Sequence, residues 1–483
     1  MGPSVTRTDV SAYGRSSDWG AVHAVVAGIG VAGFACADQL VHLGARVTVV
    51  DSGDGERQRE RADVLEVVGA EVRLGDGDTL PDDVDVLVVS PGLPPSAPVI
   101  VAAQERGVPV WGELELAWRL RGEDAAPWLV VTGTNGKTTV TLMLESMLRA
   151  AGLRTAAVGN IGVSLVDAVM DPEGFDVLAV EVGAPQLPFL LTASPLASVC
   201  LNIAEDHVDH FGSFDAYVAA KGRIYANTQV AAVYNVADPV TERLVEEADV
   251  VEGCRAIGIT LGTPARSMLG VVDDLLVDRA FLEDRADSAL ELASVHEVHP
   301  FAPHNVFNAL AAAALARAAG VPPVAVREGL RSFQPAGHRI ALVAEQDGVR
   351  WVDDSKATNG HAALTSLLAY EPVVWIAGGM AKGQEYDDLV QRTAGRMRGV
   401  VLLGVDRDRI REALARHAPD VPVVEVGRTD TGAMDDVVSA AAGMARPGDT
   451  VLLAPGCASW DMFRDYGHRG DEFAASVLRH LGG

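Results

Sequence analysis

One run constrains this chain more than any other: Val130-Val131-Thr132-Gly133-Thr134-Asn135-Gly136-Lys137-Thr138-Thr139. A β-branched strand feeds a glycine-rich turn, and the turn opens a helix on Lys-Thr-Thr. Such a turn points backbone N–H groups at a polyphosphate. Its lysine neutralises charge, and its threonine hydroxyl reaches a phosphate-bound Mg2+. Val131 stands where the usual G-x-x-x-x-G-K-[ST] pattern has its first glycine. The rest fits, so Gly133, Thr134, Asn135, Gly136, Lys137, Thr138 and Thr139 are assigned to ATP or a similar triphosphate. A strand–loop–helix of this kind belongs in a parallel α/β domain.

A second motif lies upstream. Gly28-Ile29-Gly30-Val31-Ala32-Gly33 follows a strand and opens a helix, as in the G-x-G-x-x-G turn that lets backbone approach a diphosphate. Asp51, at the end of the next strand, is placed to meet a ribose. A nicotinamide dinucleotide, another diphosphate and no ligand at all remain open. Ser90-Pro91-Gly92 is a further strand-end turn, ordinary or ligand-bearing.

Strand-like runs alternate with helical patterns along most of the chain, which predicts three α/β domains with mainly parallel sheets and ligands at the carboxyl ends of the strands. The expected division is a flexible polar tail over 1–20, a Rossmann-like domain over 21–111, a P-loop ATPase-like central domain over 112–335 and a Rossmann-like domain over 336–483. The 483 residues suffice for roughly three domains. The net charge of −27 argues against nucleic acid, which wants a basic face. Four dispersed cysteines read as reduced thiols of a cytoplasmic protein. The amino-terminal stretch lacks the apolar core of a signal peptide, and no run is long enough for a membrane span. Ala309–Ala319 is read as a packed helix, and 273–298, acidic and weakly patterned, as a surface hairpin region.

Other polar residues fall at strand ends. Glu181 closes one strand, and His207 follows another within Asn202-Ile203-Ala204-Glu205-Asp206-His207. A carboxylate and an imidazole beside a triphosphate suit Mg2+; taken singly, a solvated carboxylate and a satisfied loop histidine serve as well. Lys221 is, alone, a surface lysine. Near Mg2+ a buried neutral amine adds CO2 and becomes a metal-binding carbamate. His304-Asn305-Val306-Phe307-Asn308 opens the Ala-rich helix, with asparagines suited to cap it or to grip an adenine or a phosphate. The loops Asp353–Asn359, Gly378–Lys382 and Pro455–Asp461 end three strands of the last domain and suggest a substrate pocket.

These motifs, in this order, resemble the Mur ligase family of bacterial cell-wall synthesis over nearly the whole chain after residue 20. The resemblance rests on Gly133 to Thr139, Gly159-Asn160-Ile161-Gly162, Asn202 to His207, Ala220-Lys221, His304-Asn305 with Asn308, and His338-Arg339. Asp353-Asp354-Ser355-Lys356-Ala357-Thr358-Asn359, and Cys457-Ala458-Ser459 with Asp461 and Phe463, look most like the branch that adds D-glutamate to UDP-N-acetylmuramoyl-L-alanine. The resemblance implies that the first domain holds UDP rather than NAD, with Gly30, Val31, Ser52 and Gly92 on the uridine and diphosphate, and Asn160 and His207 towards the muramoyl carboxylate. It implies two Mg2+ ions on Thr138, Glu181, His207 and carbamylated Lys221. Lys137, Glu181, His207 and Lys221 become the catalytic set. Asn305 and Asn308 become adenine contacts, Arg339 a phosphate contact and Asp354 a ribose contact. Thr358, Lys382, Ser459 and Tyr466 form the amino-acid pocket, where a cationic Lys382 suits the side-chain carboxylate of glutamate. A monomer is expected.

One departure stands out. The family usually follows its glutamate with Leu-Ser-Ser-Phe-Gln; here Glu181 precedes Val182-Gly183-Ala184-Pro185-Gln186. Gly183 lacks a hydroxyl expected near the muramoyl-alanine end, and Pro185 replaces an aromatic. Met380 stands at a position often acidic. The change at 183–185 is tolerated variation or marks a paralogue with another carboxylate donor or amino acid. A non-catalytic UDP-sugar and ATP sensor is a competing class, against which Lys137, Glu181, His207 and Lys221 argue. A folate-type polyglutamate ligase would lack the unit that precedes the ATP loop.

Overall fold

The computed structural model describes residues 7–206, 208–335 and 337–482. The chain divides into two compact units, one of Met1–Val298 with Val306–Phe333, the other of His299–Asn305 with Gln334–Gly483.

The first unit holds two sheets. Strands β1 His23–Ala27, β2 Arg46–Asp51, β3 Glu71–Leu74, β4 Val86–Val89 and β5 Val110–Gly112 are all parallel, in the order β3-β2-β1-β4-β5. β1 and β4 are buried along their whole length, as parallel strands covered on both faces must be. The strand order reverses between β1 and β4, so the loops Gly28–Gly30 and Ser90–Gly92 flank a topological switch point, where such sheets take ligands. Ser90 Oγ donates to Gly28 O at 2.9 Å and ties the two loops together.

The second sheet has nine strands: β6 Trp128–Thr132, β7 Thr155–Gly159, β8 Val177–Glu181, β9 Ala197–Cys200, β10 Ala231–Asn235, β11 Arg255–Ile259, β12 Met268–Val272, β13 Leu275–Asp278 and β14 Leu290–Ser294. Their order is β14-β13-β12-β11-β10-β9-β6-β8-β7, antiparallel only at β12–β13 and β13–β14. The stretch 273–298 thus extends the sheet as antiparallel strands, with Leu276, Leu292 and Ala293 buried. Helix Lys137–Ala150 buries Val140, Met143, Leu144, Met147 and Leu148, one apolar stripe at helical spacing. Helix Pro323–Ser332 comes so close to it that a Cβ on Gly329 would sit 2.4 Å from Met147 Cα. In helix Pro303–Ala318, every residue from Ala309 to Ala316 is fully buried, as expected for a core helix.

Residues 7–20 correct the expectation of a loose tail. Val10 and Trp19 are buried. Arg7 donates to the carbonyls of Val84, Arg106 and Gly107, and Thr8 N donates to Asp85. Glycine and serine content suggested disorder, but two apolar anchors and one arginine decide otherwise.

In the second unit, β15 Ala341–Gln346, β16 Val349–Asp353, β17 Val373–Gly378, β18 Met397–Leu403, β19 Val423–Glu425 and β20 Thr450–Leu453 run in the order β15-β16-β20-β17-β18-β19. Only β15–β16 is antiparallel. β20 lies between β16 and β17, so the loops after all three strands share one carboxyl edge. Among the described residues all four cysteines are free and no helix is long and apolar enough to cross a membrane.

Candidate active site

In the first unit the polar residues gather at the carboxyl ends of β6, β8 and β9. Gly136 adopts φ +86° at the turn into helix Lys137–Ala150, a left-handed conformation that side chains disfavour, and a Cβ there would meet Asn308 Oδ1 at 2.7 Å. Asn308 is thereby placed against the phosphate loop. Lys137 Nζ donates to Gly133 O at 2.8 Å and Thr134 O at 2.9 Å. Thr139 follows on the same helix. The loop is braced from behind by Asn202: its Oδ1 accepts from Asn135 N at 2.9 Å, and its Nδ2 donates to Asn135 O at 3.1 Å.

Glu181, 2 % exposed, ends β8. Its Oε2 accepts from Thr138 Oγ1 at 2.7 Å and its Oε1 from Asn160 Nδ2 at 2.9 Å. The sequence spreads these three residues over 138–181, and the sheet brings them to one cluster. Lys221 is not a surface lysine: it is 1 % exposed and donates to Thr132 Oγ1 at 3.0 Å and Gly133 O at 2.7 Å. Burial, then repulsion from Lys137, pushes its ammonium down to about 7. Near neutral pH a substantial share is therefore the free amine.

His207 lies outside the described residues. Among the described residues no group of three His, Cys, Asp or Glu side chains is assembled for a metal; the expected set also draws on a threonine hydroxyl and a lysine. Two residues of this cluster were not singled out beforehand. Asn202 was read only as part of a motif. Tyr217 lies four residues before Lys221, on the same helix face, and its OH meets Thr134 Oγ1 at 2.8 Å; that spacing was the available signal.

The altered segment after Glu181 is ordered by Gln186, whose Oε1 accepts from Gly183 N at 2.8 Å. A Cβ on Gly183 would lie 3.3 Å from that oxygen and 3.6 Å from the Asn160 amide, so a serine fits with a small shift.

Around the first sheet, Gly30 precedes helix Val31–His42, and Val31 is exposed at its start. Ser52 follows β2, and Gly92 follows β4 with open space around its Cα. Asp51 is spoken for: its carboxylate accepts from Ile29 N and Gly53 N, both at 2.7 Å, and shapes the glycine turn itself.

The second unit holds the other expected residues, Asn305, Arg339, Asp354, Thr358, Lys382, Ser459 and Tyr466. The helix begins at Pro303, so Asn305 and Asn308 fall inside it rather than capping it, and Asn305 Nδ2 donates to Pro300 O at 2.9 Å. Burial lowers His304 to about 4 and keeps it neutral. Asp354, buried, is pushed up to about 7 by desolvation, against the pull of a hydrogen bond from Ser366 and of nearby Arg339. Thr358 sits in the loop after β16, Lys382 in the loop after β17 and Ser459 in the loop after β20. Lys382 Nζ lies 4.1 Å from the centre of the Trp460 ring, and Lys356 Nζ 3.8 Å from that of Tyr466.

Arg469 was also missed. It is 1 % exposed and donates to Ser355 Oγ, Ser355 O and Cys457 O at 2.8–3.0 Å, which locks the loops after β16 and β20 together.

Family models match the chain in three successive stretches: a Mur ligase MurD-like N-terminal domain over 22–112, a Mur ligase middle domain over 131–316 and a Mur ligase glutamate ligase domain over 338–457. The UDP-N-acetylmuramoylalanine–D-glutamate ligase of Streptomyces avermitilis is 61 % identical over 96 % of this chain and 100 % of its own length. The chain belongs to the Mur ligase family. The enzyme of the same name from Leifsonia xyli is 50 % identical over 97 % of this chain and 94 % of its own. Among solved structures, a Thermotoga maritima MurF ligase in complex with ADP covers 90 % of this chain and 95 % of its own, with a TM-score of 0.57 and 17 % identity. A pseudomurein peptide ligase type C from Methanothermus fervidus covers 95 % and 100 %, with a TM-score of 0.56 and 17 % identity. These two show that the Mur ligase fold extends over the chain. The family match over 22–112 takes in Gly28–Gly33.

Proposed function

We propose that this Mur ligase is an ATP-dependent ligase that joins D-glutamate to UDP-N-acetylmuramoyl-L-alanine in peptidoglycan precursor synthesis. The observation that carries the reading is the convergence of buried Lys221 and Glu181, with Thr138, on the phosphate loop, in a chain 61 % identical to a ligase of that name.

The reaction has to bring two anions together. The L-alanyl carboxylate attacks the γ-phosphate of ATP to give an acyl phosphate and ADP. The amine of D-glutamate attacks the acyl carbon, the tetrahedral adduct collapses, and inorganic phosphate leaves. Lys137 and the N–H groups of Gly133 to Thr138 meet the phosphates and offset the charge that builds as the carboxylate approaches. Asn308 and Asn305 serve the adenine, Arg339 a phosphate and Asp354 the ribose. Gly30, Val31, Ser52 and Gly92 hold the UDP, and Asn160 and His207 serve the path to the muramoyl carboxylate. Thr358, Lys382, Ser459 and Tyr466 take D-glutamate, with Lys382 on its side-chain carboxylate.

The residues present fit Mg2+. A carboxylate and a hydroxyl 2.7 Å apart supply oxygen donors, and a buried lysine with a lowered ammonium pKa accepts CO2 to become a third. Thr138, Glu181, His207 and carbamylated Lys221 would hold two ions, which when bound screen the charge between carboxylate and triphosphate. Domain boundaries near 111 and 335 belong to the same reading, supported by family matches over 22–112, 131–316 and 338–457. A cytoplasmic monomer accords with an ATP-consuming reaction on a nucleotide-linked sugar.

Gly183 and Pro185 are tolerated variation in this reading, since Gln186 orders the segment and serine-sized space remains. The test is phosphate release with UDP-N-acetylmuramoyl-L-alanine, ATP and Mg2+. Release that requires D-glutamate and is not supported by L-glutamate is expected. Release with neither, while another amino acid supports it, would overturn the assignment.

A further inference from the structure

A lysine is a strongly hydrated charge on a flexible four-carbon stem, so using it to receive a carboxylate requires ordering the stem first. The backbone around Lys382 is already ordered. Met380 and Ala458 exchange a pair of backbone hydrogen bonds at 2.9 and 3.0 Å, joining the loops after β17 and β20. Asp406 Oδ2 accepts from Ala381 N at 2.7 Å, and Asp461 Oδ2 from Val405 N at 2.9 Å, which brings in the loop after β18. Lys382 itself turns at φ +51°. The remaining freedom is in its side chain, which is exposed.

Trp460 follows buried Ser459 directly, yet is 64 % exposed. An indole has an apolar face that an ammonium can lie against. Its ring centre lies 4.1 Å from Lys382 Nζ, within the range of a cation–π contact. We propose that Trp460 is a positioning residue of the amino-acid pocket: its ring holds the Lys382 ammonium in place before the acidic amino acid arrives, and so sets affinity for a carboxylate-bearing side chain. This rests on the assignment of Lys382 to the D-glutamate carboxylate. Trp460 touches no reacting atom; it acts through Lys382, and its effect belongs in KM for the amino acid.

The experiment is steady-state phosphate release by Trp460→Leu, Trp460→Phe, Lys382→Ala and the double variant Trp460→Leu/Lys382→Ala. Trp460→Leu is expected to raise KM for D-glutamate about two- to fivefold, the range of an exposed cation–π contact, while KM for ATP stays as it is. Trp460→Phe, which keeps a ring, is expected to recover most of the loss. In the Lys382→Ala background the leucine is expected to add nothing, because no ammonium remains to be held. An unchanged KM in Trp460→Leu, an equal loss in both backgrounds, or a phenylalanine no better than leucine would overturn the proposal. A wild type without D-glutamate-dependent release would overturn the ligase reading and this proposal together; a wild type that turns over beside an indifferent Trp460→Leu sinks only the role of Trp460.

Discussion

The two polar sites are built in opposite ways. At the phosphate loop, Lys221 and Glu181 are almost wholly buried and each charged atom has short hydrogen bonds to loop or side-chain partners. At the carboxyl edge of the second unit, Lys382 is exposed and rests on an exposed indole. A group that must meet a triphosphate gains from a fixed, dry setting, where its charge is felt most and needs no rearrangement. A group that must admit and release a small amino acid can stay in water and contribute mainly affinity. Damage to the first site should therefore fall on the chemical step, and damage to the second on KM.

The largest effect is expected at Lys221. Lys221→Ala should lower kcat by on the order of a thousandfold, as loss of a preorganised electrostatic group does, and added formate should restore part of it by supplying the missing carboxylate. Full activity in that variant would remove the carbamate and blur the contrast between the sites.

Lys382→Ala should raise KM for D-glutamate roughly ten- to a hundredfold, the worth of a charge-assisted hydrogen bond, with little change in KM for ATP. Equal changes in both constants, read from initial rates, would show that Lys382 does not belong to a separate amino-acid site.

Asp354 sharpens the comparison through pH. Burial lifts its pKa from 3.8 to about 7, so between those values the folded protein keeps a proton that the unfolded chain has lost. Its contribution to stability is complete below pH 3.8 and falls away as the pH rises through 7. Asp354→Asn should gain stability over the wild type at pH 8 and little at pH 4, followed by thermal unfolding at both. A gain independent of pH would mean that Asp354 is not protonated in the fold.

The smallest effect is expected at the altered segment. Gly183→Ser should change kcat/KM for UDP-N-acetylmuramoyl-L-alanine by less than about threefold, because the space beside Gln186 and Asn160 accepts a side chain of that size. A rise of tenfold or more would show that this chain pays for its glycine in the acceptor site.

The first site was legible because its core is contiguous. Gly133 to Thr139 carry their own geometry, and the strand endings of β6, β8 and β9 could be read from their apolar runs, which placed Glu181 beside the loop. Burial of a charge was not legible. Lys221 and Arg469 sit on helices whose other residues are mixed in character, and a charged residue is assigned to the surface unless a partner is known; the partners here are carbonyls and hydroxyls distant in sequence. Trp460 was read only as part of the loop Pro455–Asp461; its contact with Lys382 was not legible, because the two lie on different loops far apart in sequence. Residues 7–20 were misjudged from composition, where Trp19 and Arg7 were the anchors to notice. The mainly parallel α/β organisation was legible throughout, because alternating strand and helix patterns require parallel sheets covered by helices.

The division of labour is tested most directly by omitting D-glutamate and trapping the acyl phosphate. Wild type, Lys382→Ala and Lys221→Ala are each given UDP-N-acetylmuramoyl-L-alanine, ATP and Mg2+, and borohydride then reduces any acyl phosphate to an alcohol that mass spectrometry detects. The alcohol is expected from the wild type and from Lys382→Ala in similar yield, and not from Lys221→Ala. Loss of the alcohol in Lys382→Ala as complete as in Lys221→Ala would contradict the separation of the two sites.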